Sequence, residues 1–488
     1  MFKRFFSWIR QVMSRMVTYK SIDQVIGSNV ISDEMSNAID AWMEMYQGRA
    51  PWLEKDRKSL KLPSTIASEM ARLVTLEMQM NVSGDGERAK FIEETLKPVL
   101  TGIRIYTEYA CAGGGLAFKP SVINGKVEVE FVQANHFLPL SFDSSGRITG
   151  AAFMEHEALN NMYYTRIEKH ELKGDMLTIT NTAYRSYSDD SIGTECALSE
   201  YPDWAKIDPV VTVAKPTGNL YSYFKIPLGN TIDPLSPLGV SVYADAVDLI
   251  QDADKQYQRL MWEFEGGEMA IDASEDAFKI VKGEPIVPVG KERLFRTNKL
   301  DAATGSGELM KPWTPALRDQ SFIAGLQEIL VKIEDKVGLS RGTLSNKYID
   351  ARTAEEIKQT KQRSYSTVSD IQKALQTALE ELAGAISQLA TLYALNGDGK
   401  YELSFKWDDS IVTDANTERE VDRQDVRDGF MAKWEYRKKW YGEDEATAKK
   451  AIADMKAEEE PDDDELMGFG SFKKEPKEEP KKKEEDDD

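Results

Sequence analysis

A polar segment between two predicted helices carries the side chains with the clearest potential for chemistry. It runs from residue 339 to residue 352 and shows no hydrophobic periodicity. Cationic side chains contact phosphate oxygens, and hydroxyl and amide groups hydrogen-bond them. The candidates for such contacts are Ser340, Arg341, Thr343, Asn346 and Lys347. These contacts would be weak and salt-sensitive, and none requires the reading of a base sequence. A mobile surface loop that joins two helices is the alternative interpretation.

Three carboxylates, Asp245, Asp248 and Asp252, precede this segment at three- and four-residue spacing. On a helix that spacing places them on one face. A metal site would need further ligands, and neither a histidine nor a fourth ligand is in place. We therefore predict an exposed acidic face and no bound metal.

The composition argues against several other classes of function. Two cysteines and three histidines give no disulfide framework, and we find no catalytic constellation and predict no cofactor. No apolar run approaches the roughly 18 residues needed to span a bilayer. The net charge is −21, and the segment after residue 457 contributes nine of these excess negative charges. Proteins that bind nucleic acid tightly collect Lys and Arg on their surface. If DNA is a partner, this chain is therefore expected to let it slide and not to hold it.

Two helices flank the polar segment and determine where it projects. The first is predicted over residues 316–338, where apolar residues recur at three- and four-residue steps and Gly338 provides a stop. The second, over residues 353–396, keeps one apolar stripe with no proline and would extend about 64 Å. This pair suits a large assembly better than an enzyme with a pocket.

The remaining pattern predicts an α+β chain. Helical periodicity dominates residues 33–110, with a break or kink expected at Pro98. Alternating strands follow between residues 116 and 182, with a hairpin turn at Asn124-Gly125.

A further helix is predicted over residues 236–266, beginning at Pro237. A small β-containing module, residues 267–315, separates it from the helix at residue 316. The module's candidate docking charges are Lys291, Arg293 and Arg296. The alternative is that these three side chains are ordinary exposed charges that bind no partner.

The C-terminal region and the two ends have distinct compositions. Residues 1–20 form a basic amphipathic arm, for which packing on protein is favoured over a membrane surface. Residues 433–440 interleave bases with aromatics, as single-strand nucleic-acid sites do, but the acids of the adjoining helices favour helix packing. From residue 458 the acidic, Lys- and Pro-rich composition predicts disorder.

Several segments recur in an order and spacing that resemble the portal proteins of tailed bacteriophages, in particular the branch found in phages of Gram-positive hosts. They are Gly338-Leu339-Ser340, Thr353-Ala354-Glu355-Glu356, residues 236–244, residues 405–414 and residues 431–437. The last of them leads into Trp440-Tyr441-Gly442, and the resemblance runs from the N-terminal region to about residue 455, which is most of the chain.

The resemblance implies a division of the chain into named parts. Outside it lie the arm (1–20) and the tail (458–488). The parts are a wing (21–235), a first stem helix (236–266), a clip (267–315), a second stem helix (316–338), a tunnel loop (339–352), a long wing helix (353–396) and a helical crown (397–457).

The resemblance also implies a function. The family forms homo-oligomeric rings, usually of about twelve subunits, at one capsid vertex, where double-stranded DNA enters and leaves. The tunnel loop would face the DNA, and the acidic face would line the channel. The clip would dock the terminase large subunit and later the head–tail adaptor. Major capsid and scaffolding proteins are further expected partners, a membrane is not, and assembly would take place in the host cytoplasm. The alternative is another non-enzymatic head–tail protein.

Overall fold

The structure is a computed structural model that divides into two compact units, one ending at Val412 and one beginning at Thr413. Within the residues that it describes, no helix is long and apolar enough to cross a membrane. The described residues are 25–26, 30–53, 58–84, 86–189, 191–274, 278–281, 284–286, 294–298, 310–346, 354–395, 399–407 and 415–459.

The helices confirm most of the helical predictions. Those of the first unit are α1 (Asp33–Tyr46), α2 (Leu62–Thr75), α3 (Glu87–Gly113), α4 (Val247–Gly266), α5 (Asp319–Val337) and α6 (Ala354–Leu392). Those of the second unit are α7 (Ala415–Asp428), α8 (Lys433–Tyr441) and α9 (Glu445–Glu459). Pro98 lies inside α3, which continues past it, so a break there is wrong and the alternative of a kink stays a prediction.

The strands lie between and after these helices, and together they confirm the α+β class. The N-terminal strands are β1 (Gln79–Ser83), β2 (Gly115–Ile123), β3 (Lys126–Gln133), β4 (Phe137–Phe142), β5 (Ile148–Leu159), β6 (Met162–Lys173), β7 (Met176–Ser186), β8 (Thr194–Cys196), β9 (Val210–Ala214) and β10 (Ser222–Lys225). The later strands are β11 (Ala270–Ser274), β12 (Lys279–Val281), β13 (Glu284–Ile286), β14 (Phe295–Asn298), β15 (Met310–Trp313) and β16 (Glu402–Lys406).

The sheets are mainly antiparallel and built from neighbours in sequence. The largest has the order β4-β5-β6-β7-β8, with β9 also on β7, and a second has the order β10-β2-β3. In the module after α4, β11 pairs parallel with β14 and antiparallel with β15. The predicted hairpin at Asn124-Gly125 is confirmed, because both residues have the positive φ angles that its turn requires.

The core of the first unit is organised by the apolar face of α6. Its larger buried side chains are those of Val368, Ile371, Leu375, Leu379, Leu382, Ile386 and Leu389. Full burial of each such side chain stabilises the fold by roughly 1.5–3 kcal/mol. Tyr393, which continues the same periodicity, lies beyond the end of α6 and is 58% exposed.

The helix predicted over residues 236–266 begins only at Val247, so its predicted start at Pro237 is wrong. Tertiary hydrogen bonds hold the preceding segment in a non-helical path. The backbone N–H of Val242 and the hydroxyl of Ser241 both donate to the carbonyl oxygen of Cys111, at 3.0 and 3.2 Å. Gly239 crosses so close to the end of α3 that a Cβ there would lie 2.2 Å from a backbone oxygen. Local helix preference yields to this crossing.

The strand β16 lies in the first unit. It pairs antiparallel with β1, from Gln79 opposite Lys406 to Ser83 opposite Glu402. Periodicity assigns residues 79 and 80 to the preceding helix, and that assignment is wrong. Residues 399–407, assigned to the crown by resemblance, belong to the first unit, and the second unit consists of helices in its described part.

A network of charged side chains joins the two larger sheets. The ammonium of Lys119 on β2 lies 3.1 Å from Glu168 on β6 and 3.0 Å from Glu130 on β3. Arg166 and His170 also contact Glu168, at 2.9 and 2.8 Å. Burial alone would raise the pKa of the Glu168 carboxyl, but its interactions with Lys119, His170 and Arg166 hold that pKa well below its usual range.

This network predicts acid-dependent stability. Because the pKa of Glu168 is lower in the folded chain than in the unfolded chain, its contribution is complete above about pH 4.5 and is lost as the pH falls through the folded value. Glu168→Gln should lower the free energy of unfolding by about 3 kcal/mol at pH 7, and the difference from wild type should shrink in acid. Denaturant titrations across pH would measure it.

The matched control is Glu171→Gln on the same strand, because Glu171 pairs with the exposed Lys173. That variant should unfold within about 0.5 kcal/mol of wild type. A Glu168→Gln deficit that stays constant from neutral to acid pH would contradict the assignment.

Candidate functional site: a loop anchored by a buried carboxylate

The helices α4 and α5 run antiparallel, and hydrogen bonds of side chains hold them together at two places. The amide of Gln256 donates to the carbonyl oxygen of Phe322 at 3.2 Å. Nearer the β module, the nearly buried Glu263 accepts from the backbone N–H and the guanidinium of Arg318, at 3.0 and 2.7 Å. The side-chain hydrogen bond from Arg318 lowers the pKa of Glu263. These contacts fix α5 against α4, and α5 leads into the loop at its other end.

A second buried carboxylate ties α4 to the N-terminal region. Asp254 is 1% exposed and accepts hydrogen bonds from Trp52 Nε1 at 2.9 Å, from the hydroxyl of Ser59 at 3.0 Å and from the backbone N–H of Leu60 at 2.9 Å. Charge-assisted hydrogen bonds of this kind are the stronger ones. The N-terminal half of α4 is thereby fixed to the segment between α1 and α2.

Glu334 organises the start of the polar loop. Its backbone carbonyl accepts from Gly338, which ends α5 with a φ of 76°, and from Leu339. Its side chain is 0% exposed. The carboxylate accepts from the backbone N–H groups of Gly342 at 3.1 Å, Leu344 at 2.5 Å and Ser345 at 2.8 Å. One residue therefore closes the helix and fixes the path of the loop.

The predicted phosphate-contacting residues lie on this loop with their polar groups already engaged. The hydroxyl of Ser340 donates to Ser364 on α6 at 3.0 Å, and that of Thr343 donates to the carbonyl oxygen of Ser340 at 2.6 Å. Arg341 makes two hydrogen bonds to Asp335, at 3.0 and 2.8 Å. The backbone of Asn346 is held by a side chain of α5, and Lys347 lies outside the described residues. Ser340, Arg341 and Thr343 therefore lie together on one anchored turn.

The three predicted acidic residues do not share one helix. Asp245 lies in a 3-10 turn before α4, whereas Asp248 and Asp252 lie one turn apart on α4 itself. All three are exposed. Asp252 pairs with Lys255 at 3.4 Å. Within the described part of the chain, no group of three His, Cys, Asp or Glu residues could hold a metal ion.

The predicted docking charges of the β module can be located only in part. Arg296 lies on β14, where it pairs in register with Asp272 on β11. Lys291 and Arg293 lie outside the described residues.

Sequence reasoning missed Glu334, Asp335 and Asp254. Glu334 lies between Ile333 and Val337 in the last turn of α5. From sequence alone, an acid at this position is interpreted as an exposed charge. A usable signal is its position one turn before a glycine stop and a loop rich in small polar residues, whose N–H groups need an acceptor.

The site thus consists of a helix pair joined by hydrogen bonds and an anchored loop, after which the chain forms the 39-residue helix α6. A model of the family "Phage portal protein, SPP1 Gp6-like" matches residues 33–464, and the chain belongs to that family. It is a phage portal protein, a structural, non-enzymatic component of the virion.

Two further comparisons add little. A search of curated proteins gives no match. One similar solved structure is described as "Neck of native GTA particle computed with C12 symmetry". It shares 11% sequence identity, with a TM-score of 0.41 over 84% of this chain and 96% of that chain. Similarity at that level carries no argument about function.

The anchoring of the loop by Glu334 can be tested by substitution. In Glu334→Gln an amide group faces several backbone N–H donors and can accept from fewer of them. The free energy of unfolding should fall by about 3 kcal/mol, and trypsin should cut after Arg341 faster than in wild type. Denaturant unfolding and timed proteolysis measure the two effects.

The control is Glu328→Gln, an exposed acid on the same helix, which should change stability by less than about 0.5 kcal/mol. Equal proteolysis of both variants would show that the loop does not depend on the Glu334 carboxylate.

Proposed function

We propose that this portal protein assembles into a homo-oligomeric ring at one capsid vertex and that double-stranded DNA passes along the axis of the ring. The family membership supports a portal role, and the anchored loop supports a conduit. The single observation that carries the proposal is the turn held by Glu334, which presents the exposed Arg341 beside the partly exposed Asp335. About twelve subunits is the usual number in the family that the sequence resembles.

The geometry of Arg341 suits transient contact with DNA. The Arg341 side chain is 42% exposed and that of Asp335 is 31% exposed. An exposed ion pair of this kind contributes only about 0–1 kcal/mol. A phosphate that passes the loop can therefore replace Asp335 as the partner of the guanidinium and be replaced by it again. Contact of this kind guides a duplex without holding it.

The remaining partners follow from the same proposal. The β module between α4 and α5 would dock the terminase large subunit during packaging and the head–tail adaptor afterwards, with Lys291, Arg293 and Arg296 as candidate contacts. Major capsid and scaffolding proteins would surround the ring during assembly in the host cytoplasm. The segments around residues 236–244 and 405–414 support placement with the portals of phages that infect Gram-positive bacteria.

Electron microscopy of the purified protein tests the ring directly. We expect annular particles with an open centre, whose subunit number can be counted from end-on views. Particles with a closed centre, or a chain that remains monomeric at every concentration and salt, would be incompatible with a conduit.

The loop contact can be tested by opposite substitutions of one ion pair. Arg341→Gln should weaken binding of short duplex DNA to the ring by roughly tenfold at low salt. Asp335→Asn should strengthen it by about threefold, because Arg341 loses its competing partner. Fluorescence anisotropy with a labelled duplex measures both.

Lys332→Gln serves as the control, since it removes the same charge from an exposed position on α5. Its effect should be smaller than that of Arg341→Gln. If the lysine and arginine variants bind alike, the loop has no special place in DNA contact.

A further inference from the structure

Two arginines of the second unit converge on one neutral oxygen. Nε of Arg419 and Nε of Arg423, one turn apart on α7, donate to the hydroxyl oxygen of Tyr436 on α8, at 3.1 and 3.2 Å. A phenol oxygen accepts about two hydrogen bonds, so its own proton must point away from both arginines. Burial alone would raise the pKa of Tyr436, but these hydrogen bonds lower it. The O–H of Tyr436 can therefore donate a hydrogen bond to a ligand beside the two guanidinium groups, whose positive charge polarises it.

The two arginines are not paired with acids in the part of the chain that the structure describes. Among the described residues, neither Arg419 nor Arg423 has a carboxylate within ion-pair distance, and only Nε of Arg423 is engaged. Its two terminal nitrogens present the fork that binds phosphate or carboxylate bidentately. Arg427 continues the row one turn further along α7, is exposed, and likewise has no partner in the described residues.

Neighbouring cations of the same unit are neutralised. Arg437 makes two hydrogen bonds to Glu443, at 2.8 and 2.7 Å. Lys439 pairs with Asp422 at 2.7 Å, and Lys449 pairs with Glu445. Among the described residues of this unit, several cations are thus paired with acids, whereas the row of arginines on α7 is not. If these arginines served only to pack α7 against α8, an acidic partner on α8 would stabilise the packing further.

We propose that Arg419, Arg423 and Tyr436, extended by Arg427, form a binding site for the phosphate groups of a duplex DNA backbone. The site rests on the proposed conduit function, since it supplies a DNA contact in the C-terminal unit separate from the loop after α5. Arginines four residues apart on a helix rise about 6 Å from one to the next, so the row can meet successive phosphates. No base edge is read, and binding is independent of sequence.

The test uses the full-length protein, a short labelled duplex and fluorescence anisotropy over a range of salt concentrations. Arg423→Gln should weaken binding roughly tenfold at low salt and reduce the slope of log K against log salt by about one for each phosphate that the protein no longer neutralises. Arg427→Gln should act in the same direction by about threefold. Because Arg427 is exposed and makes no hydrogen bond or ion pair within the described part of the chain, its substitution should change stability by less than about 0.5 kcal/mol.

The matched control is Arg437→Gln, which makes the same charge change in the same unit at a neutralised arginine. Its affinity should stay within about twofold of wild type. Inorganic polyphosphate should displace the duplex from wild type more effectively than from Arg423→Gln. Thermal melting would show whether each variant is folded.

Two results would overturn the site. In one, Arg423→Gln and Arg427→Gln bind the duplex as wild type does. In the other, all three arginine variants weaken binding equally, which would indicate net charge alone. Either result with intact open rings and a normal Arg341→Gln deficit would leave the conduit in place and remove only this site. An absence of rings would remove the conduit.

Discussion

The carboxylate of Glu334 is the interaction on which the loop between α5 and α6 depends. A chain that leaves a helix carries backbone N–H groups with no partner, and burying them unpaired is unfavourable by about 1–3 kcal/mol each. Here one side chain accepts from several of them, while the carbonyl of the same residue accepts from the glycine that ends the helix. The helix end and the loop path are therefore fixed by a single position. Arg341, just beyond the glycine stop, is left on the outside.

The same device recurs where α4 meets its neighbours. Asp254 gathers donors from the segment after α1, and Glu263 gathers the backbone and guanidinium donors of Arg318. Each is a buried or nearly buried acid whose charge is satisfied by several hydrogen bonds, the condition under which a buried carboxylate can stabilise a fold. Some of the chain's many acids therefore lie inside the molecule, where their hydrogen bonds hold the helix pair in place. Net charge alone does not describe what these acids do.

The sequence predicted what local periodicity can encode. The stripe of α6 from Val368 to Leu389 is buried as expected, and Gly338 ends α5 as expected. Periodicity failed where distant partners decide. The segment before α4 has a helical pattern, but it is held non-helical by donors that reach Cys111, more than a hundred residues earlier. The pairing of β1 with β16 joins residues over 300 positions apart, and no window of sequence contains both.

The candidate site shows the same division. The hydroxyls and bases of the loop were recognisable by type, yet their use was not. Ser340 and Thr343 serve the turn itself, and Arg341 has an acid beside it. The tertiary structure, and not the residue type, determines which arginines are paired with an acid. Arg341 faces a carboxylate, and Arg423 faces a phenol. Both are short-range facts that a net charge of −21 conceals.

At physiological salt, charges more than about 8 Å apart are largely screened, so a passing phosphate responds to the groups that it touches. An arginine with an adjacent acid exchanges partners and releases the duplex. An arginine whose only acceptor is neutral has nothing to exchange and holds a phosphate longer. In the proposed conduit, a chain with a large acidic excess would therefore repel DNA along most of its surface and guide the duplex at a few arginines. The residence time at each arginine would be set by the group that lies next to its guanidinium.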